Sequence, residues 1–101
     1  MATSRSKQRA VHPGILLAER IAEYEGLTAY RVSKDCAISI THGAKICRGE
    51  ASITVPISVR LGRYFGDAPD YWAGLQLAYD VAEFERQHGK DVLTSVKVLE
   101  V

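Results

Sequence analysis

The chain of 101 residues is poor in the residues that build covalent, metal or nucleotide chemistry. It has two cysteines, Cys36 and Cys47, which form neither a CxxC pair nor a zinc framework. In a reducing compartment they read as small packing residues rather than a disulfide. The three histidines, His12, His42 and His88, fall one to each third of the chain, with no carboxylate or cysteine at metal-ligand spacing; no metal site is expected. GxSxG, HExxH, the P-loop and GxGxxG are all missing. Without a nucleophile elbow, a hydrolytic metal or a nucleotide cradle, neither an enzyme nor a bound cofactor is expected. No apolar run reaches the ~18–20 residues that span a bilayer, and MATSRSKQR at the N-terminus lacks a signal peptide's apolar stretch. A cytoplasmic protein with no membrane partner is the expectation.

What remains is the composition of an ordinary domain, 47% hydrophobic and 25% charged, which excludes disorder and low complexity. A chain of this length buries a little over ~60% of its extended surface on folding, enough for one core without staples. The net charge of +1 conceals an asymmetry. Residues 1–66 carry ten Lys and Arg against five Asp and Glu, and residues 67–101 carry three against seven, so the two parts are +5 and −4. The basic part suits phosphates, because neutralising them releases condensed counterions. The acidic part is free for a protein partner, a basic one by charge.

Hydrophobic periodicity predicts five helices. Residues 1–11 are polar and cationic and read as a flexible basic arm. ILLAERIAEYE (15–25) sets Leu17, Ile21 and Tyr24 on one face and ends at Gly26. Thr28 caps a short helix over 29–36, and Ser39 caps a third over 40–48 with Ile46 and Cys47 inward. Two short helices joined this closely form a helix-turn-helix, whose second helix can lie in a major groove. Thr54 caps a fourth helix over 55–65, with Val59, Leu61 and Phe65 toward the core. Pro69 opens the longest, over 69–87, with a Trp72, Leu75, Tyr79 stripe and Gly89 as its end. The tail 91–101 changes to a period of two and is rich in β-branched residues, which suits a β-strand. The division is therefore an arm over 1–11, a helix-turn-helix domain over 12–88 and a tail over 89–101.

Four strings sharpen this reading: HPG at 12–14, GLTAYRVSK at 26–34, Ile53-Thr54, and RLGRYFGDAPDYWAGLQLAYD at 60–80. Together they resemble the HigA-type antitoxins, also called the virulence-associated protein I group, of the XRE or lambda-repressor-like class. The specific part is RYFG-xxP-x-[FY]W-x-x-LQ-x-x-YD, which residues 63–80 follow. The resemblance implies an all-α, five-helix fold with the helix-turn-helix at its second and third helices. It also implies an antitoxin of a type II toxin–antitoxin module, which binds a HigB-type mRNA-cleaving toxin and represses its own operon as a homodimer on a palindromic operator. Two alternatives stay open: an XRE-type regulator without a toxin, and a helix-turn-helix scaffold that has lost DNA and only binds protein.

Carried onto this chain, the resemblance places Ile40, Thr41 and Lys45 of the third helix against base edges. Lys45 suits guanine O6/N7, Thr41 suits several bases, and Ile40 suits a thymine methyl. Ser39, His42 and Arg48, with Thr28 and Arg31 from the second helix, fall where phosphate contacts are expected. The chain departs from the family pattern at six places. Ala29 replaces a phosphate-binding glutamine, Ala37 the turn glycine, Gly43 a buried aliphatic, Glu50-Ala51 a basic pair, Ala68 a capping serine, and Ile15 a glutamate. Four of the six lie in the DNA-reading unit, which predicts weakened or altered operator binding.

Overall fold

Pro13 supplies the fixed φ of a first helical turn, and α1 runs over Pro13–Ala22. The computed structural model describes residues 10–100; most of the expected basic arm, with Arg5, Lys7 and Arg9, lies outside the described residues, as does Val101. The cap of α1 is His12, whose Nδ1 accepts the Gly14 N–H at 2.8 Å. Leu17 and Ile21 are buried as their spacing predicts. The helix stops three residues short of the expected Glu25, because the chain turns into Gly26 at φ 80°. Tyr24 therefore leaves the inward face and stacks on Phe65 at 5.9 Å between ring centroids.

The next two helices match their expected positions. α2 covers Ala29–Asp35, with Thr28 Oγ1 accepting the Arg31 N–H at 3.1 Å. α3 covers Ile40–Cys47, with Ser39 Oγ accepting the His42 N–H at 3.3 Å. Between them Ala37 takes φ 58°, the left-handed conformation that costs a residue with a Cβ roughly 1–2 kcal/mol. The turn thus keeps its geometry although glycine is absent.

α4 is Val55–Phe65 and ends in Gly66 at φ 84°. Its inward face differs from the expected one. Leu61 is fully buried, but Val59 is 46% exposed, and Ser58 and Gly62 take the inward positions beside Leu61. Thr54 has the backbone of a cap, yet its side chain makes no capping bond. α5 is Tyr71–Ser95. Its first turn is capped from outside: Ser58 Oγ accepts the Ala73 N–H at 2.8 Å and donates to the Pro69 carbonyl at 2.7 Å. A cap supplied by α4 replaces the one lost at Ala68.

The expected tail strand is not found, and Gly89 does not end α5. Residues 91–95 complete the helix, with the Val96 N–H donating to the Val92 carbonyl at 2.9 Å. Residues 96–100 belong to no strand. β-branched side chains favour a strand only where a neighbour takes its backbone groups, and among the described residues no sheet offers one. The helical ladder of α5 was the available partner for Asp91–Ser95.

Leu17 and Ile21 of α1, Val32 of α2, Ile46 of α3, Leu61 of α4 and Trp72 of α5 meet in one core. Ile53, in the α3–α4 loop, joins them, and its N–H is taken by the buried Gln76 Oε1 at 2.9 Å. Helices this short build a core by backbone contact. A Cβ on Gly14 would overlap the Ile46 carbonyl oxygen, so α1 and α3 touch main chain to main chain. A Cβ on Gly43 would collide with Ser33 Oγ and lie 3.3 Å from its Cβ. Gly43, where the family pattern has a buried aliphatic, is thus a close approach of α2 to α3, its space filled by Ser33. A Cβ on Gly62 would sit 2.8 Å from the Ala68 carbonyl oxygen, where the α4–α5 loop lies on α4.

The same substitution should therefore act with opposite sign at two sites. Gly14→Ala is expected to lower unfolding stability by at least ~2–3 kcal/mol through overpacking against backbone that cannot rotate away. Gly74→Ala, with nothing within 4 Å of its added Cβ, should raise stability by roughly 0.5–1 kcal/mol through helix propensity. Urea unfolding of both variants checks the pair, and a neutral Gly14→Ala would refute the α1–α3 contact.

Candidate nucleic-acid interface

The helix-turn-helix owes its orientation to two hydroxyl caps. Thr28 and Ser39 fix the starts of α2 and α3 by accepting an N–H each, and each hydroxyl keeps its own hydrogen to donate outward. The open helix starts carry the positive end of the peptide dipoles, which suits an anion. On α3, Gly43 and Ile46 face inward, so Thr41, Lys45 and Arg48 line up one turn apart on the outer side, with Ile40 exposed beside them. The structure thus brings together Ser39, Ile40, Thr41, Lys45 and Arg48 of the eight expected residues. His42 is half-buried next to this stripe.

The cations on this surface are not equivalent. Among the described residues no ion pair holds Lys45. Arg48 Nη2 lies 3.2 Å from Glu50 Oε1, both side chains about half exposed. Arg31 Nε lies 3.3 Å from Asp35 Oδ2, one turn along α2. That carboxylate also accepts the Tyr64 hydroxyl of α4 at 2.7 Å. The Tyr64 hydrogen bond, helped by Arg31, holds the Asp35 carboxyl below its ordinary value, and the same bond lifts the Tyr64 phenol. Arg31 is therefore drawn to the α4 side of α2, apart from the α3 stripe. Thr28 stays at the α2 start.

Tyr30 is the exposed residue that sequence reading passed over. It stands two residues after the Thr28 cap and is 58% exposed, with Lys34 Nζ 6.0 Å from its ring centroid. Its signal in the sequence was the i, i+4 spacing of an aromatic and a cation on an outward face. Glu50 was legible as a negative charge, but not as the partner of Arg48.

Other chemistry finds little foothold here. Among the described residues no cluster of His, Cys, Asp or Glu could hold a metal ion, and no helix is long and apolar enough to cross a membrane. Cys36 and Cys47 are free thiols whose burial raises their pKa, which makes them poorer nucleophiles.

No protein-family model matches the chain. Virulence-associated protein I of Dichelobacter nodosus is 34% identical over 85 residues, covering 82% of this chain and 79% of that protein. An addiction module antidote protein of the HigA family from Coxiella burnetii superposes with a TM-score of 0.86 at 33% identity, over 91% of this chain and all of the other. The Pseudomonas aeruginosa antitoxin HigA, solved with the higBA promoter, superposes with a TM-score of 0.83 at 28% identity, over 91% of this chain and all of the other. The five-helix fold, the capped helix-turn-helix and the string over residues 63–80 agree with these likenesses: the chain belongs to the HigA family of antitoxins, the virulence-associated protein I group.

Proposed function

We propose that this protein is a cytoplasmic repressor-antitoxin that binds a palindromic operator upstream of its own gene as a homodimer, with α3 in the major groove. The observation that carries the reading is the outward stripe of Thr41, Lys45 and Arg48 on a helix whose start is fixed by Ser39. The promoter-bound structure of the Pseudomonas aeruginosa relative supports it. Lys45 and Thr41 read base edges, while Thr28, Ser39 and Arg48 fix register on phosphates. Ile40 packs on a thymine methyl, and His42 and Arg31 serve as outer phosphate contacts. The second activity is neutralisation of a HigB-type mRNA-cleaving toxin, supported by the family and by the acidic surplus of residues 67–101.

The ion pair of Arg48 with Glu50 favours one competing reading, a scaffold that has given up DNA and keeps only the protein partner. Titration against the upstream promoter and a scrambled duplex, at about 50 and 200 mM salt, separates the two. A repressor shifts the promoter alone and loses affinity steeply with salt. A pure interaction module shifts neither, yet co-purifies with the protein encoded beside it.

Two substitutions test the assignment of the stripe. Lys45→Ala should relax preference at a single base position, costing about 1–3 kcal/mol of discrimination there, as a footprint of operator variants would show. Glu50→Gln should release Arg48, tightening binding to every sequence and steepening the salt slope by up to about one unit. If Glu50→Gln left the slope unchanged, Arg48 would not be a phosphate contact.

A further inference from the structure

α4 carries Arg60 and Arg63 and no acidic residue, and neither arginine belongs to the α3 stripe or to the core. Both are exposed. With Ala37 of the turn, Val59, Asp35 and Tyr64 they line an open cleft of about 660 Å³ between α4 and the end of α2. That volume falls within the ~300–1,000 Å³ of small-molecule sites.

The charges of this cleft are not balanced within the chain. Asp35 is the acid in its wall, and that carboxylate is already committed. Its Oδ2 lies 3.3 Å from Arg31 Nε and accepts the Tyr64 hydroxyl at 2.7 Å. Among the described residues no ion pair holds Arg60 or Arg63. Arg60 is also set in advance. Its Nη1 donates to the Cys36 carbonyl at 3.1 Å, and the Cys36 thiol lies 4.0 Å from the Arg60 carbonyl oxygen. A guanidinium holds its N–H donors in one rigid plane, so this single bond leaves Nε and Nη2 to meet an anion side-on. A fork fixed beforehand also lowers the ordering cost of binding. Arg63, about one turn further along α4, brings a second positive charge to the same cleft.

Val59 adds an apolar wall, and here its 46% exposure, unexplained by the core, finds a use. Two cations beside an exposed valine select a ligand with a doubly charged head and an apolar body. A phosphate monoester, close to −2 at neutral pH, matches the pair better than a single carboxylate does. DNA fits less well, because each of its phosphodiesters carries one charge. The cleft also lies away from the α3 stripe, since α2 turns Ser33 to Gly43 of α3 but Asp35 to Tyr64 of α4.

We propose that the cleft between α4 and the α2–α3 turn binds a small phosphate monoester, with Arg60 and Arg63 on the phosphate and Val59 and Ala37 against its apolar body. The site goes beyond operator binding and stands independently of it.

Titration of the full chain with phenyl phosphate, followed by proton–nitrogen correlation NMR, provides the test. The amide signals of Cys36, Ala37, Arg60 and Tyr64 should shift together and saturate, with a Kd of about 1 mM or below. Inorganic phosphate, the head without the body, should bind about tenfold more weakly. Phenol, the body without the head, should give no saturating shift. Arg63→Gln changes a side chain without an ion pair among the described residues, so it should stay folded and weaken phenyl phosphate about tenfold. Val59→Ser should weaken phenyl phosphate and leave inorganic phosphate unchanged. Absence of saturating shifts at these residues, shifts centred on Thr41, Lys45 and Arg48, or unchanged binding by Arg63→Gln would each overturn the proposal. Equal affinity for inorganic phosphate would do so too, by reducing the cleft to a patch of charge. A phosphoserine peptide should bind no better than phenyl phosphate, and tighter binding would overturn the assignment to a small ligand.

Discussion

The carboxylate of Asp67 ties α1, some 47 residues earlier in the chain, to the start of α5. It stands in the loop between α4 and α5 and takes Arg20 of α1 in a two-point contact, Nη1 to Oδ2 at 3.0 Å and Nη2 to Oδ1 at 3.4 Å. Its Oδ2 also accepts the indole N–H of Trp72 at 3.1 Å. The guanidinium lies over the rings of Phe65 and Trp72, so one cation is held by charge at its edge and by aromatic faces on its plane. Both charged side chains are only about one-fifth exposed, which weakens screening by salt. The hydrogen bond to Asp67 lifts the Arg20 pKa above its ordinary value. Without this centre Trp72 would bury an unpaired N–H, and α1 would lose its tie to the start of α5. The helix-turn-helix packs on α1 through the same core, so the tie also bears on how it is held.

The rest of the packing follows from a shortage of side chains. Helices of seven to eleven residues present only one or two apolar groups each to a common core. Glycine and serine compensate by letting main chains touch. Gly14 admits the Ile46 carbonyl, Gly43 admits Ser33, and Gly62 admits the α4–α5 loop. Ser58, fully buried, turns what would be a hole into a cap for α5. Close backbone contact gives dispersion without large residues, at the cost of tolerating almost no added volume.

Much of this was legible beforehand, and the misses have physical causes. The starts of α2 and α3 followed from the hydroxyl caps of Thr28 and Ser39, and the ends of α3 and α4 from Gly49 and Gly66, all local signals. The α1 start did not, because a histidine cap is uncommon and His12 gains its role from geometry rather than from helix preference. Val59 was assigned inward on hydrophobicity, whereas Ser58 faces in because it satisfies two backbone groups there. At the tail a period of two competed with a helical ladder already growing from Tyr71, and the ladder won for lack of a strand partner. On the candidate DNA surface, Thr41, Lys45 and Arg48 were placed by the family resemblance, and their common outward face followed from helical period. The pairing of Arg48 with Glu50 did not, since it spans the end of a helix at a spacing no periodic rule covers. Arg31 is exposed as its helical position predicts, but its pairing with Asp35, itself held by Tyr64 of the distant α4, was not read from the sequence.

The buried amide of Gln76 gives the Leu-Gln pair of the long motif a reason in hydrogen-bond polarity. Its oxygen accepts from Ile53 N–H and its nitrogen donates to Asp80 Oδ1 at 2.9 Å. A carboxylate of equal length would meet Ile53 but face Asp80 with like charge, and an ammonium would meet Asp80 but leave Ile53 without an acceptor. Asparagine carries both groups but is one methylene short. Glutamine has its acceptor and its donor at the required reach, so the letter in the motif follows from the direction in which protons point along a three-group chain from the α3–α4 loop to the middle of α5.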